Sequence, residues 1–295
     1  MPLREFRLAH ADPQVITEGN TVSKMQTFPS QHSRPGQRFF FDIVSGLKMH
    51  EIWRNFAWEE VLSRYHRSTM GLLWIVFGYA IFVAGISFFF GGFAKMGRGN
   101  FTIYVALGYA SFQFLIANVV DGCAVFTGSA SWLKSTTLPY SIYVYKSIFR
   151  SLLPFGLQLI VVAILMIYWQ PPLRWNIILV IPALVLYLLN AVAIQYLCGL
   201  IAARFRDVTH LVGSITRILI FTTPIMWVRG ERSGDIALVA DLNPLTHYIE
   251  IFRSPLMGED IRMLSWLVVA GFTVFCWLLA ALAADRMQRR LAFWV

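Results

Sequence analysis

Charged side chains are scarce in this sequence. Only 14% of its 295 residues are charged and 57% are hydrophobic, whereas soluble domains average about 25% charged residues. This deficit excludes an ordinary soluble enzyme of the same length. It favours a protein that is embedded in a membrane.

Cysteine and the common catalytic motifs are also lacking. The three cysteines, Cys123, Cys198 and Cys276, lie far apart in or beside apolar stretches, which predicts packing rather than metal binding. None of the six histidines lies four residues from another, and no serine nucleophile motif occurs. The nearest likeness to a phosphate-binding loop, at 128–135, lacks the glycine before Lys134. We expect no catalytic residue, metal or cofactor in this chain, so any ATP and Mg²⁺ would bind a separate partner subunit.

Long apolar stretches are what the sequence has instead. Six are long enough to cross a bilayer as helices, which takes about 20 residues, although the fifth is the shortest and contains Arg217. A helix satisfies its backbone hydrogen bonds within one segment, as a membrane span requires. The sequence therefore predicts an all-α, polytopic membrane protein. The predicted spans are about 71–92, 102–122, 147–169, 176–202, 211–228 and 264–284.

Lysine and arginine are divided unevenly between the two sides of these spans. One side comprises the N-terminal segment, the regions around 123–150 and 203–217, and the C-terminal tail, and it holds eighteen of them against seven on the other. Because positive residues concentrate on the cytoplasmic side, both termini are predicted to lie in the cytoplasm. The chain would be a multi-pass protein of the cytoplasmic membrane.

Two segments precede the first predicted span. Residues 1–48 show no sustained periodicity and predict a flexible cytosolic extension. In 49–67, Trp58, Val61 and Leu62 recur at helical spacing opposite charged residues, which predicts an amphipathic interface helix with a break near Ala57. This helix is a simple membrane anchor or a docking site for a cytosolic partner, and the two roles are compatible.

Two cytosolic segments between the spans carry further signals. Trp132 and Leu133 are apolar residues in a predicted water-facing loop, so either lipid headgroups or a protein partner should cover them. At 203–208, Arg204 and Arg206 stand beside Asp207, and anchoring at a membrane exit is enough to explain these basic residues.

The external segment 229–262 contains one more helical pattern. Asn243 is suited to cap a helix that has Pro244 at its first position, and Pro255 ends the pattern. This predicts a short amphipathic helix at the outer interface, either as a gate over a pore or as a passive interface helix. Its apolar stripe is Leu245, Tyr248, Ile249 and Phe252.

Ionisable residues within the spans are few. Asp121 and Arg217 are the candidates, and both lie near predicted span ends. Buried charges often mark ion pathways, but one acid and one base make a poor proton or sodium relay. The sequence therefore disfavours ion-coupled transport.

Several short motifs, taken in order over about 50–295, resemble one family of membrane proteins. Arg64, Gly71 and Trp74, which lead into the first span, are similar to the corresponding stretch of the ABC type-2 permeases that export polysaccharides. Residues 131–139, which we name the coupling segment, resemble the cytosolic coupling loop of these permeases, with Leu138 in place of the usual aromatic residue. The other similar motifs are Arg204 to Asp207, Thr223 to Ile225, Asn243 to Leu245, and Phe252 with Arg253.

The resemblance implies a homodimer of six-span subunits that binds two copies of a separate ATP-binding subunit. The dimer would enclose a channel for a lipid-linked polysaccharide such as O antigen, capsule or teichoic acid. Aromatic faces suit sugar rings, although packing explains any single aromatic residue equally well. The residues expected to contact the ATPase are Ser131, Trp132, Leu133, Lys134, Leu138, Pro139, Glu59, Glu60 and Arg64, and the cytosolic turn is Arg204, Arg206 and Asp207. The candidate channel or gate residues are Trp74, Phe77, Tyr79, Tyr109, Phe112, Pro244, Tyr248 and Phe252.

Two other functions stay open. An ABC type-2 exporter of a lipid or a small drug would use the same scaffold. A membrane-embedded glycosyltransferase would also handle lipid-linked sugars, but it needs paired acids or a metal-binding aspartate cluster near the interface, and the sequence offers neither.

Overall fold

The structure is a computed structural model that describes residues 36–65, 68–231 and 233–295. These residues form helices joined by turns, and no strand occurs among them, so the all-helical prediction is confirmed for this part of the chain. The helices are α1 (Gln37–Lys48), α2 (His50–Tyr65), α3 (Leu73–Phe90), α4 (Arg98–Ala124), α5 (Ala130–Ser135), α6 (Ser141–Trp169), α7 (Val180–Arg204), α8 (Asp207–Thr222), α9 (Asp235–Leu242), α10 (Pro244–Met257), α11 (Met263–Met287) and α12 (Leu291–Trp294).

Five helical segments of the described residues are long and apolar enough to cross a membrane. Four are α3, α4, α6 and α11, and the fifth is the run Trp175–Arg204, which ends with α7. They coincide with five of the six predicted spans. The largest difference in their bounds is at α6, which begins at Ser141 rather than at 147.

α8 occupies the place of the predicted fifth span. It has 16 residues, and at 1.5 Å per residue it is about 24 Å long, somewhat short of the ~30 Å hydrocarbon core of a bilayer. The helix ends where Thr223 takes an extended backbone, which is the conformation that a residue before proline prefers. The count of six spans therefore stays a prediction, as does the cytoplasmic placement of the termini.

The prediction of a flexible extension is wrong for residues 37–48. These residues form α1, in which Phe39 and Ile43 share a buried face. The Phe39 ring packs edge-on against Tyr196 of α7, with 5.0 Å between the ring centroids, and such aromatic pairs stabilise a contact beyond the area that they bury. Residues 1–35, which are the rest of the predicted extension, lie outside the described residues.

α2 differs from its prediction in one respect. It is continuous through Ala57, which is the residue type that best favours a helix. Ala57 and Val61 are buried at 0% and 5% exposure, whereas Trp58 and Leu62 of the predicted stripe are 49% and 52% exposed, as an interface helix allows. The predicted end of this helix, at 66 and 67, lies outside the described residues.

α4 is the most deeply buried of the five spans. In its apolar stretch 67% of the residues are buried within the chain, against 17% for α3. α4 packs between α6 and α7, and Gly122 permits close approach to α7, because a Cβ at this position would stand 2.9 Å from the Cα of Gln195. The other spans present apolar side chains on their outer sides, as lipid contact requires.

The chain has two ends with different contacts. At one end α1 and α2 pack on α6, and α12 packs on α5 and α7. At the other end α10 packs beside the segment before α7, and Arg174 pairs with Asp260 at 3.1 Å. We name the first the coupling end and the second the outer end.

Candidate functional site

α5 presents an aromatic side chain on the surface of the coupling end. Leu133 is buried and anchors the helix, while its neighbour Trp132 is 51% exposed. The helix stops at Ser135 because Thr136 turns to an extended backbone and its Oγ1 donates to the Trp132 carbonyl at 2.7 Å. The end of the coupling segment, after Ser135, is thus directed toward α6.

α5 and α2 meet through a ring contact. The centroids of the Phe56 and Trp132 rings are 5.0 Å apart. The structure therefore brings together the two elements that were expected to contact an ATPase. We name the exposed surface of α2 and α5 around Trp132 the coupling face. Of the other predicted contact residues, Ser131, Lys134, Glu59 and Arg64 are exposed, Leu138 is half-buried and Pro139 is buried.

Glu60 turns inward from this face. Its carboxylate pairs with Lys146 of α6 at 3.1 Å and with Arg150 of the same helix. Burial raises the pKa of Glu60, but the hydrogen bond and charge of Lys146, together with the charge of Arg150, outweigh burial and hold the pKa below its usual value. Glu60 also lies 3.9 Å from exposed Arg64 of the same helix, and its side chain is 30% exposed, so its contact with an ATPase stays a prediction.

Arg150 of α6 also pairs with an acidic residue of α4. Its Nη2 lies 3.2 Å from Asp121 of α4, and the Ser151 hydroxyl donates to the same carboxylate at 3.4 Å. Asp121, the acid considered for ion coupling, is therefore paired with a cation. We name Glu60, Lys146, Arg150 and Asp121 the coupling-end ion cluster, which links α2 through α6 to α4. Sequence reasoning missed Lys146 and Arg150, although their spacing of four residues places them on one helix face.

The turn that was predicted to be cytosolic is exposed at Arg204, Arg206 and Asp207. The Arg204 guanidinium lies 5.2 Å from the Phe205 ring centroid and 5.1 Å from that of Trp294, so it ties the end of α7 to α12. Asp207 stands in the first turn of α8, where the positive end of the helix dipole favours an acid. These contacts within the chain explain the positions of Arg204 and Asp207.

Three motifs that are far apart in the sequence meet toward the outer end. Asn243 caps α10 as predicted, because its side chain accepts from the Leu245 N–H at 3.0 Å. Its Nδ2 also donates to Thr223 Oγ1 at 2.9 Å, and Arg253 donates to the Pro224 carbonyl at 2.9 Å. These bonds join the end of α8 to both ends of α10.

Arg253 is a buried cation. It is 4% exposed, and its guanidinium lies 3.6 Å from the centroid of the Tyr104 ring of α4. A buried charge in a membrane protein is costly and usually serves a function. Sequence reasoning placed Arg253 in a motif but missed Tyr104 as its partner, because the two residues are far apart in the chain.

α10 is not the amphipathic surface helix that the sequence predicts. It is buried on most of its circumference, continues through Pro255 to Met257, and ends at Gly258. Gly258 has φ 68°, a left-handed conformation that glycine adopts without strain. The helix packs on α4, α7 and α11, and His247, Tyr248 and Arg253 find hydrogen-bond partners within the protein.

The candidate channel and gate residues fall into two groups. Trp74 and Phe77 of α3 are exposed, and Tyr109 and Pro244 are half-buried. The others are core residues of the single chain, and their role at a channel or gate stays a prediction. These core residues are Tyr79, Phe112, Tyr248 and Phe252.

No group of three histidine, cysteine or acidic residues suited to a metal ion occurs among the described residues. The cysteines are free thiols, with Cys123 and Cys276 buried.

Comparison with known proteins agrees with this architecture. The chain matches the ABC-2 type transporter family over residues 52–257. These residues include Trp132, the coupling-end ion cluster, and the hydrogen bonds of Asn243 and Arg253. It is 22% identical over 237 residues to the O-antigen export system permease protein RfbA of Myxococcus xanthus, covering 78% of this chain and 90% of the relative. It is 23% identical over 230 residues to a protein of the same name from Klebsiella pneumoniae, covering 74% and 88%. The chain belongs to the ABC-2 type transporter family and is a multi-pass membrane permease.

Proposed function

We propose that the chain is the transmembrane permease of an ATP-driven exporter that moves a lipid-linked polysaccharide across the cytoplasmic membrane. The family supports the transporter class. The names of the relatives support O antigen, or a similar cell-envelope glycan, as the substrate. In this proposal ATP and Mg²⁺ bind a separate subunit.

The coupling face is the observation that carries the proposal. A half-exposed tryptophan packed on a second aromatic ring is costly to leave in water, and tryptophan is among the strongest anchors at protein interfaces. Lys134 of α5 and Glu59 and Arg64 of α2 are exposed charged residues on the same two helices. We infer that a cleft of the ATP-binding subunit covers this face.

Movement of the ATP-binding subunit has two routes into the spans. From α5 the coupling segment leads directly into α6, and from α2 the ion cluster leads to α6 and α4. Nucleotide shifts the permease between states only if it binds one state of the complex more tightly than the other. Through these two routes, the difference in nucleotide affinity between the two states would move α4 and α6.

A second copy of the chain completes the channel in this proposal. No residue of α8 is buried within the single chain, and α3 is the least buried of the five spans. Their exposed apolar faces suit either lipid or a second copy, and we assign them to a homodimer. Trp74 and Phe77 of α3 would then offer aromatic faces to a passing glycan.

Copurification tests the proposal. The tagged chain would be purified in mild detergent from the cells that make it, and its companions identified by mass spectrometry. We expect an ATP-binding subunit at about one copy per chain, its loss in Trp132→Asp, and its retention in Trp175→Asp, which alters an exposed tryptophan at the outer end.

The outcomes separate the parts of the proposal. Lipid-linked glycan in the same preparation supports polysaccharide export, whereas a lipid or a small drug alone would contradict that substrate. Absence of any ATP-binding subunit, even after chemical crosslinking, would contradict ATP-driven transport.

A further inference from the structure

α1 lies outside the residues that match the family, yet it is joined to the start of α6. The Oδ1 of Asp42 accepts from the Tyr140 N–H and its Oδ2 from the Ser141 N–H, both at 2.8 Å. These two amides stand directly after the coupling segment. Asp42 therefore contacts the point where that segment enters the bundle.

α6 has no cap from its own sequence. The first N–H groups of a helix lack partners within the helix, and the residue at the cap position, Tyr140, makes no side-chain cap bond. Asp42, 98 residues away from Tyr140, supplies the acceptors instead. The positive N-terminal end of α6 and these two amides offset part of the cost of burying a carboxylate there.

Other contacts hold α1 at this place. The Ser141 hydroxyl donates to the Asp42 carbonyl at 2.6 Å, and the Tyr145 hydroxyl donates to the Ile43 carbonyl at 2.9 Å. Gly46 packs so closely on the Ser141 side chain that a Cβ would overlap its Oγ. Glycine at 46 thus permits α1 to lie close to the start of α6.

Asp42 is 4% exposed, and burial raises its pKa from 3.8 to about 6 despite the hydrogen bonds that it accepts. The titratable groups that face it are Tyr140 and Tyr145 from α6 and Tyr196 from α7, whose hydroxyl donates to Oδ2 at 3.3 Å. Arg38 lies one turn earlier on α1.

We propose that α1 is a clamp on the coupling segment and that Asp42 is a positioning residue for coupling, because its cap fixes the start of α6 and hence the direction of α5. The coupling role rests on the proposed function. The clamp itself does not, and it is tested separately.

Hydrogen exchange of the full chain in lipid nanodiscs tests the clamp. In Asp42→Ala we expect the amides of Tyr140 and Ser141 to exchange about tenfold faster, which is the usual effect of losing a helix cap. Val44→Ala, at an exposed position of the same helix, should leave them unchanged. Asp42→Asn keeps one acceptor and should restore part of the protection. Equal exchange in wild type and Asp42→Ala would overturn the clamp.

The pH dependence of this exchange distinguishes an effect of Asp42 from a general loosening of the fold. Because its pKa is higher in the clamp than in water, the clamped state binds the proton more tightly, so the clamp is firmest at low pH and loosens as the pH rises through about 6. After correction for intrinsic rates, opening in the wild type should increase about tenfold between pH 5 and pH 8. It should stay flat in Asp42→Asn, and a parallel increase in both proteins would contradict this assignment.

Glycan export per ATP hydrolysed tests the positioning role in the complex with the copurified ATP-binding subunit. We expect Asp42→Ala to lower this ratio about tenfold, Asp42→Asn to restore part of it, and Val44→Ala to leave it unchanged. The positioning role would be overturned if Asp42→Ala leaves this ratio unchanged although the amides of Tyr140 and Ser141 exchange faster. If no ATP-binding subunit accompanies the wild type, the proposed function fails, and the positioning role with it, while the exchange data still decide the clamp.

Discussion

Glu60 and Arg253 are charged residues at opposite ends of the bundle, and each joins helices that are distant in sequence. Glu60 lies between two cations of α6, and Arg253 lies between the Tyr104 ring and the Pro224 carbonyl. Removing one partner of such a contact leaves the other partner desolvated, so the loss exceeds the net value of the contact. Single substitutions at these two residues are therefore informative.

Arg253→Gln should lower export without releasing the ATP-binding subunit. The substitution removes a charge-assisted hydrogen bond, which is typically worth about 1.5–3 kcal/mol, from the joint between α8 and α10. Arg253→Lys keeps the charge without the planar guanidinium and should be intermediate. Export is measured as glycan reaching the cell surface, and subunit retention by copurification. Normal export by a correctly inserted Arg253→Gln would show that this joint does not act in transport.

Glu60→Gln should lower the thermal unfolding midpoint at pH 7. Because Lys146 and Arg150 hold the pKa of Glu60 below its usual 4.5, the folded chain favours the ionised form, and the ion pairs stabilise it above that pH. This stabilisation, about 1 kcal/mol for a partly solvated pair, is lost as the pH falls through the folded-state pKa. The difference between wild type and Glu60→Gln should thus disappear in acid, and a difference that grows there would refute this account.

At the scale of helices, α4 depends on glycine for its contact with α7. Gly122→Ala should destabilise the fold by roughly 1–3 kcal/mol, because the new methyl group meets the backbone at Gln195 and the packed helices must separate. Gly156→Ala in α6 is the matched control, since a Cβ there meets nothing within 4 Å. Thermal unfolding in detergent measures both variants, and an equal effect of the two would argue against tight packing of α4 on α7.

Five helices were predicted correctly from apolar stretches long enough to cross a bilayer. Length and hydrophobicity alone decide such spans. The cap at Asn243 was also predictable, since it depends on adjacent residues. The pairing of Glu60 of α2 with Lys146 and Arg150 was not, because these two cations lie on α6, far away in the sequence. The packing of α1 and the burial of α10 likewise depend on contacts between segments that are distant in the sequence. The periodicity of one segment carries no information about such contacts.

At the scale of the whole molecule, the proposed homodimer would cover the exposed apolar faces of α3 and α8. A cysteine placed at Ile218 of α8 should form crosslinked dimers in membranes, whereas one at Ile164 of α6 should not, although both positions are exposed in the single chain. Crosslinking is read as a band of twice the mass. Equal crosslinking at both positions would indicate random encounters and not a dimer through α8.

The proposed function requires that a separate ATPase, acting through the coupling face, drive a glycan across the membrane. The most direct test is reconstitution of the chain with the ATP-binding subunit in sealed vesicles loaded with lipid-linked glycan. The account predicts that ATP makes the glycan accessible to a lectin on the opposite side, and that Trp132→Asp abolishes this while Trp175→Asp does not. Translocation without ATP, or ATP hydrolysis by the intact complex that leaves the glycan where it was, would contradict it.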